Sequence, residues 1–308
     1  MKTQRIAFSG VFLFLLLTVV ARSGVQAQVQ VYYVQPVGVS IRGDSFADAY
    51  SADAFDVTSM YGNPASLSYL YNESVVVSDY ITWAVKSHTI SAATPVFLNQ
   101  DFHFGIGASY ESNGKVFQES GNGIPMKSYE LDIAVSTRVI PTLSVGVLAG
   151  VRKFTFADLS RPSDWAQLGV FYNPLPGIAY GLVYRYRNGL AFVKAGDALS
   201  LVRYRYTPAD LELGAAMTYP SNAVSPIVSL SLSTVKTFPS AERFNIKGGL
   251  EVYPVNFLAL RLGYKVGSTT NVPRFGIGVH VRNFRCDFGI GPNQSDEQFH
   301  GFSLSYSF

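Results

Sequence analysis

Arginine and tyrosine alternate in two short stretches, a pattern that could either bind an anion or pair with buried acids. The stretches are Tyr184-Arg185-Tyr186-Arg187 and Arg203-Tyr204-Arg205-Tyr206. Successive side chains of a strand point to opposite faces, so each stretch places its arginines on one face. If these stretches are strands of a membrane-spanning barrel, an arginine that faces lipid near the midplane would cost about 2–4 kcal/mol. We therefore expect a luminal basic strip, which consists of Arg185, Arg187, Arg203 and Arg205.

The sequence contains no lysine or arginine between Gly43 and Val85, and four aspartates fall in one short piece of this segment: Asp44, Asp48, Asp53 and Asp56. The side chain of Asp44 or Ser45 could cap a short helix. Asn63-Pro64 predicts a turn at the end of the segment. Two interpretations of the basic strip stay open. It selects an anionic ligand such as a carboxylate, or it pairs with these aspartates; the second is favoured because buried charges need partners.

Residues for catalysis are not grouped in the sequence. The four histidines are dispersed, and none has metal-ligand spacing or stands beside a nucleophile motif. Phosphate loops, dinucleotide fingerprints and basic-aromatic nucleic-acid patches are absent. The single cysteine, Cys286, excludes an internal disulfide. We predict a protein that is not an enzyme, needs no cofactor or metal and binds no nucleic acid.

The first residues have the layout of a secretory signal peptide. Lys2 and Arg5 precede an apolar run from Ile6 to Ala21, and Val25-Gln26-Ala27 is a small-x-small cleavage site. We place cleavage before Gln28. The leader holds three basic residues and no acid, so its removal takes the formal charge from +3 to 0. The slight excess of basic residues in the full sequence therefore says nothing about a nucleic-acid partner.

The rest of the chain has the composition and periodicity of a membrane-spanning β-barrel. Only 15% of residues are charged and 14% are aromatic, against about 25% charged in ordinary soluble domains. Apolar residues alternate with polar or small ones in segments such as 244–252 and 258–266, the pattern of strands with one face toward lipid. At roughly ten residues per strand, Ser74–Phe308 has room for about 14 to 16 strands.

The chain stops on an aromatic residue. Phe302, Leu304, Tyr306 and Phe308 alternate with small residues in the last segment. A final amphipathic strand that ends in an aromatic residue resembles the signal for assembly of outer-membrane barrels, so Phe308 is the predicted assembly signal. We expect a monomeric barrel in contact with outer-membrane lipid.

Three regions follow from these observations: a signal peptide at 1–27, a plug segment at 28–72 and a transmembrane β-barrel at 73–308. The middle region is too apolar for a free tail and too short to form its own core. We therefore expect it inside the barrel. The fold class is all-β: an antiparallel barrel of about 14 strands with a short helical N-terminal plug in its lumen.

Two groups of motifs resemble the FadL superfamily. Arg42-Gly43, Ala52-Asp53-Ala54 and Tyr61-Gly62-Asn63-Pro64-Ala65 are similar to its N-terminal signature. Gly249-Leu250-Glu251-Val252-Tyr253 and Leu260-Arg261-Leu262-Gly263-Tyr264 resemble the PorV/PorQ branch. The resemblance implies a barrel of about fourteen strands with a luminal N-terminal segment.

The resemblance implies one of two roles. The first is a type IX secretion-associated component that binds a secretion-system or cargo protein. The alternative is a channel that takes up hydrophobic small molecules, with an apolar pocket between plug and wall that includes Phe46, Phe55 and Met60. Lumen-facing Phe and Leu would favour the channel, and the strand pattern predicts few of them. The secretion role is therefore the main interpretation.

Overall fold

A computed structural model describes residues 30–33, 40–70, 74–82, 87–97, 102–116, 124–156, 159–187, 190–195, 198–203, 209–220, 227–238, 244–267, 271–292 and 298–308. The predicted leader, the cleavage site and Arg205 lie outside these ranges. None of the helices in the described ranges is long and apolar enough to cross a membrane.

Within the described part of the chain, fourteen antiparallel strands pair in a closed ring. The strands are β2 (Ser74–Thr82), β3 (Ser87–Phe97), β4 (Phe102–Val116), β5 (Ile124–Ile140), β6 (Leu143–Phe156), β7 (Leu159–Leu175), β8 (Ile178–Arg187), β11 (Ala209–Tyr219), β12 (Val228–Phe238), β13 (Asn245–Val255), β14 (Leu258–Val266), β15 (Asn271–Val281), β16 (Phe284–Pro292) and β17 (Gln298–Ser307). The predicted all-β, antiparallel class is confirmed.

A smaller three-stranded sheet contains β1 (Gln30–Tyr33), β9 (Leu190–Ala195) and β10 (Ala198–Arg203), in the order β1-β9-β10. Both pairings are antiparallel. This sheet changes two expectations. The start of the predicted plug segment is a strand of this sheet, and Arg203 ends β10 instead of lying in a strand of the ring.

The ring has two chemically different faces because side chains alternate along each strand. On β8, Tyr184 and Tyr186 are exposed, whereas Val183 and Arg185 are buried. The same alternation holds on β5, where Leu131 is exposed. Large apolar side chains recur on the outward face from β2 to β17, and small or charged side chains recur on the inward face.

The described segment 40–70, called the plug below, begins with one short α-helix. This helix, α1 (Ile41–Ser45), is capped by Ser40, whose side-chain oxygen accepts from the Gly43 amide. The predicted cap at Asp44 or Ser45 is wrong by one helical turn. Ser40 has an extended backbone, which lets its side chain reach the free amide of Gly43.

Two 3-10 helices follow in the plug, Val57–Tyr61 and Pro64–Tyr69. Asp56 caps the first in a capping box with Ser59. Asn63 caps the second, and Pro64 occupies its first turn, where a missing amide hydrogen costs nothing. The turn predicted at Asn63-Pro64 is therefore also the start of a helix, and β2 begins shortly afterwards at Ser74.

Candidate functional site: the plug and the wall of the ring

Asn63 joins three parts of the structure through one side chain. Its Nδ2 donates to the carbonyl oxygen of Ser51, at 2.8 Å, and to that of Val170 in β7, at 2.9 Å. Its Oδ1 accepts from the Ala65 amide at 3.1 Å. The side-chain amide of Asn63 thus closes a loop of the plug, caps the next helix and attaches both to the wall.

Close approach of this turn to the wall requires glycine. A Cβ atom added at Gly169 would lie 2.1 Å from Asn63 Oδ1, and one at Gly146 would lie 2.5 Å from the Ala65 amide nitrogen. Both distances are far shorter than a van der Waals contact. The inward-facing glycines of β6 and β7 therefore make room for the plug backbone.

Arg42, in α1, anchors the plug to the other side of the ring. Its Nε and Nη2 donate to the two carboxylate oxygens of Glu251 in β13, at 3.1 and 2.6 Å. Planar, two-point pairing of this kind is the strongest arrangement for arginine and a carboxylate. Both side chains are buried.

The anchor continues through the wall as a chain of alternating charges. Arg261 Nε, in β14, donates to Glu251 Oε1 at 2.6 Å. Arg261 Nη1 lies 2.6 Å from Asp287 Oδ1 in β16, and Arg285 Nε lies 2.8 Å from the other oxygen of Asp287. We call Arg42, Glu251, Arg261, Asp287 and Arg285 the ionic chain. Because each charge is buried beside opposite charges, breaking any link leaves an uncompensated ion.

The predicted acidic residues of the plug have different partners from those expected. Asp53 Oδ2 lies 3.3 Å from Arg42 Nη1, within the plug. Burial raises the pKa of Asp53, and Arg42 only partly opposes that rise. Asp56 is 3.9 Å from Arg285 and accepts from the Thr58 amide at 2.8 Å.

The other two plug aspartates lie at and just after α1. Asp44 is within α1. Asp48 has a left-handed backbone with φ of 64°, and its carbonyl oxygen accepts from Lys247 Nζ at 3.3 Å. Burial alone would raise the pKa of Asp48, but Lys247 and a hydrogen bond from Asp44 lower it overall.

Two residues of the predicted basic strip, Arg185 and Arg187, have acidic partners in the wall of the ring. Arg185 pairs with Glu212 of the adjacent strand β11, and its Nη2 donates to the Gly62 carbonyl at 2.7 Å. Arg187 lies 3.2 Å from Asp210, also in β11. The predicted pairing of these arginines with the plug aspartates is therefore wrong. Acids of the neighbouring strand β11, offset by two positions from the direct cross-strand register, are closer, and the sequence pattern could not assign them.

The remaining two arginines of that strip do not join Arg185 and Arg187 in the described wall of the ring. Arg203 is the last residue of β10, in the three-stranded sheet. Arg205 lies outside the described residues. Arg203 and the first Tyr/Arg stretch thus belong to different sheets.

The opposite side of the plug meets the wall through apolar contacts. One buried cluster joins plug and wall; its members are Val57, Met60, Tyr61, Leu67, Leu70, Val76, Ala134, Leu148 and Trp165. The rings of Tyr61 and Trp165 stack with centroids 6.3 Å apart, and the Tyr61 hydroxyl donates to Asp132 Oδ2 at 3.0 Å. A second contact packs Tyr69 against Phe171. We call the first cluster the apolar seam.

The three residues expected to line an apolar pocket are distributed differently. Met60 is part of the apolar seam. Phe46 is fully buried, and a Cβ atom added at Gly249 would lie 1.9 Å from its ring. Phe55 lines a separate cavity. These side chains therefore do not form one common pocket.

Sequence reasoning missed the ionic chain as a site, although part of its signal was present. The period-two pattern places Glu251 and Arg261 on the inward face, and the two residues are direct partners in the β13–β14 pairing. Because β13 and β14 form a hairpin, the pairing of Glu251 with Arg261 could have been predicted from the sequence. The contact of Glu251 with Arg42, 209 positions away, could not have been predicted.

Phe308 is 69% exposed, and its ring packs edge-on against Tyr306 at 5.0 Å. The strand that precedes it, β17, pairs with both β16 and β2. Its role in assembly stays a prediction. Within the described ranges, no group of three or more His, Cys, Asp or Glu side chains could hold a metal ion.

Comparison with known proteins gives similarity at the level of the fold. No protein-family model and no curated protein matches the chain. Among solved structures, the chain is similar to the CymD monoaromatic hydrocarbon channel, with a TM-score of 0.64 and 12% identity over 88% of this chain and 98% of that one.

Two further structures are similar. A Pseudomonas aeruginosa FadL homologue gives a TM-score of 0.59 and 11% identity over 90% of this chain and 99% of that one. The Pseudomonas putida toluene transporter TodX gives 0.52 and 14% over 80% and 92%. At these identities the likeness establishes a shared architecture, not a shared function. The PorV/PorQ-specific part of the sequence resemblance receives no support from these structures.

Proposed function

We propose that this chain is an outer-membrane channel for small hydrophobic molecules and that its N-terminal plug closes the passage at rest. This proposal adopts the alternative from the sequence analysis in place of the secretion-associated role. The observation that carries it is a buried segment, residues 40–70, held inside a ring of strands by contacts on opposite sides.

The outward face of the ring supports a membrane location. Its exposed large apolar side chains recur around the ring; on β5 alone they include Tyr129, Leu131 and Ile133. Soluble monomers rarely expose apolar patches larger than a few hundred Å². A closed ring also pairs its strand edges, as the hydrocarbon core of a bilayer requires.

The inward face supports a hydrophobic cargo. The secretion-associated interpretation depended on a scarcity of apolar side chains in the lumen. The wall instead buries Leu148, Phe171, Val183 and Trp165 on its inward face. The apolar seam gives a hydrophobic molecule a surface to follow once the plug shifts, whereas polar solutes would lose hydration there. The similarity in fold to hydrocarbon channels agrees with this choice.

Uptake by intact cells tests the proposal. Cells with a lipopolysaccharide outer leaflet and no channel of this type should accumulate ¹⁴C-toluene faster when they express this chain. The protein should fractionate with the outer membrane, and proteoliposomes that contain it should stay impermeable to sucrose. Toluene uptake equal to that of empty-vector cells, or free passage of sucrose, would reject the proposal.

A further inference from the structure

A cavity of about 250 Å³ lies between the plug and the turn that joins β15 to β16. The plug contributes Phe55, Asp56, Tyr69 and Leu70 to its lining, and the wall contributes residues that include Arg282 and Arg285. The cavity is distinct from the packed apolar seam, although Leu70 belongs to both. The plug side, which is apolar except for the Asp56 carboxylate, is called the apolar wall, and the side with the two arginines is called the cationic wall.

The charge on the cationic wall is only partly neutralised by the protein itself. Arg285 contacts Asp287 through Nε, and Arg261 contacts the same carboxylate through Nη1. Asp56 offers little compensation, because it lies 3.9 Å from Arg285 and already caps Thr58. The charge of Arg285 is therefore incompletely neutralised by the protein, so an anion in the cavity would be attracted to it.

Arg282 adds a second cation under backbone strain. It is exposed in the β15–β16 turn and has φ of 53°, in the left-handed region. Glycine and asparagine usually occupy such turn positions. Strained backbone at a non-glycine residue often marks a functional site, because surrounding structure must maintain it. The turn geometry does not favour an arginine at this position, yet its side chain places a positive charge at the cavity.

The apolar wall is held in place by aromatic contacts. The Phe55 ring lies 4.0 Å from the Arg42 guanidinium carbon and 5.9 Å from that of Arg285. Tyr69 is fixed against Phe171, with ring centroids 5.0 Å apart. These rings form a preorganised surface, which reduces the ordering cost for a flat apolar ligand.

From this geometry we infer that the cavity binds a small carboxylate that carries a ring-sized apolar group, with the carboxylate toward Arg282 and Arg285 and the ring toward Phe55. An apolar cavity of about 150 Å³ is enough for benzene, so the space suffices for a single ring and its carboxylate. The inference rests on the proposed function, because it gives the ligand class at one end of the proposed passage. Charge-assisted hydrogen bonds would select the anion over a neutral hydrocarbon.

Equilibrium dialysis of the folded full-length protein in detergent tests the inference, with ¹⁴C-benzoate as the probe and ¹⁴C-toluene as its uncharged counterpart. Arg282→Asn removes one cation and keeps a residue suited to the left-handed turn. Lys127→Gln, at an exposed position outside the cavity, is the control for the same loss of charge. We expect saturable benzoate binding, about tenfold weaker in Arg282→Asn and unchanged in Lys127→Gln. Phe55→Leu should weaken binding as well.

Absence of saturable benzoate binding in the wild type would overturn the inference, and so would equal binding by Arg282→Asn and Lys127→Gln. Toluene that competes equally with benzoate would also overturn it. Failure of the proposed function is separable, because it would appear as absent toluene accumulation in cells even when benzoate binding is normal.

Discussion

The plug meets the ring on two sides by different physical means. On the β13–β16 side, buried arginines and carboxylates form the ionic chain. On the β5–β7 side, the apolar seam and the Asn63 turn make the contact. Ionic contacts are directional and fail abruptly when one partner is lost. Apolar contacts tolerate sliding and lose stability in proportion to the area exposed.

This difference indicates which side fixes the position of the plug. Glu251 receives hydrogen bonds from both Arg42 and Arg261, so its two oxygens allow a single geometry. The apolar seam can rearrange with less penalty. We expect the ionic chain to set where the plug lies and the apolar seam to supply much of the area buried on closure.

The largest effect should follow the loss of Glu251. Glu251→Gln leaves Arg42 and Arg261 without their shared anion, at a cost of about 3–5 kcal/mol for a broken buried pair. Proteoliposomes that contain this variant should admit sucrose. Asp164→Asn, an exposed position on β7, is the matched control and should stay sealed. A sealed Glu251→Gln protein of wild-type stability would show that the ionic chain does not position the plug.

A cavity in the apolar seam should have a slightly smaller effect. Leu67 is fully buried, and Leu67→Ala should lower the free energy of unfolding by about 2–5 kcal/mol. Leu131→Ala, on the outward face, creates no internal cavity and serves as the comparison in denaturant titrations. Because the ionic chain is intact, Leu67→Ala should not admit sucrose. Free sucrose entry would mean that both sides position the plug equally.

A methyl group added to the wall of the ring, facing the plug turn, should have a moderate effect. Gly169→Ala places a Cβ atom 2.1 Å from Asn63 Oδ1, so the turn must move. Overpacking of this kind costs about 1–3 kcal/mol. Gly248→Ala is a suitable control, because its Cβ atom would meet only Leu232 Cδ1, at 3.9 Å. Equal unfolding midpoints for the two variants would contradict the close approach.

The smallest effect should come from Asp53. Asp53→Asn removes a carboxylate whose pKa is already raised by burial, so the folded protein loses little on its neutralisation. Arg42 retains its two hydrogen bonds to Glu251. We expect a change of less than about 1 kcal/mol in the free energy of unfolding, and no sucrose leak. A loss as large as that of Glu251→Gln would make Asp53 the main partner of Arg42.

The same comparison explains what the sequence could predict. Period-two alternation sorted residues such as Leu131 and Glu251 correctly to outward and inward faces, because burial in a sheet follows a local rule. The Asn63-Pro64 turn was also predictable from local chemistry. Charge partners that are distant in sequence were not predictable, since Arg42 and Glu251 come together only in the folded ring. Arg185 was assigned to the plug aspartates because the neighbour of β8 in the ring, β11, does not follow it directly in sequence.

The most direct test of the central claim is a reversible cross-link between plug and wall. The hydroxyls of Ser68 in the plug and Ser136 in β5 are in hydrogen-bond contact, so cysteines at both positions should form a disulfide in a Cys286→Ser background. Cells with the oxidised double variant should accumulate ¹⁴C-toluene no faster than empty-vector cells. Reduction with dithiothreitol should restore uptake, and each single-cysteine variant should be insensitive to the reductant. Wild-type uptake by the fully cross-linked protein would contradict closure by residues 40–70.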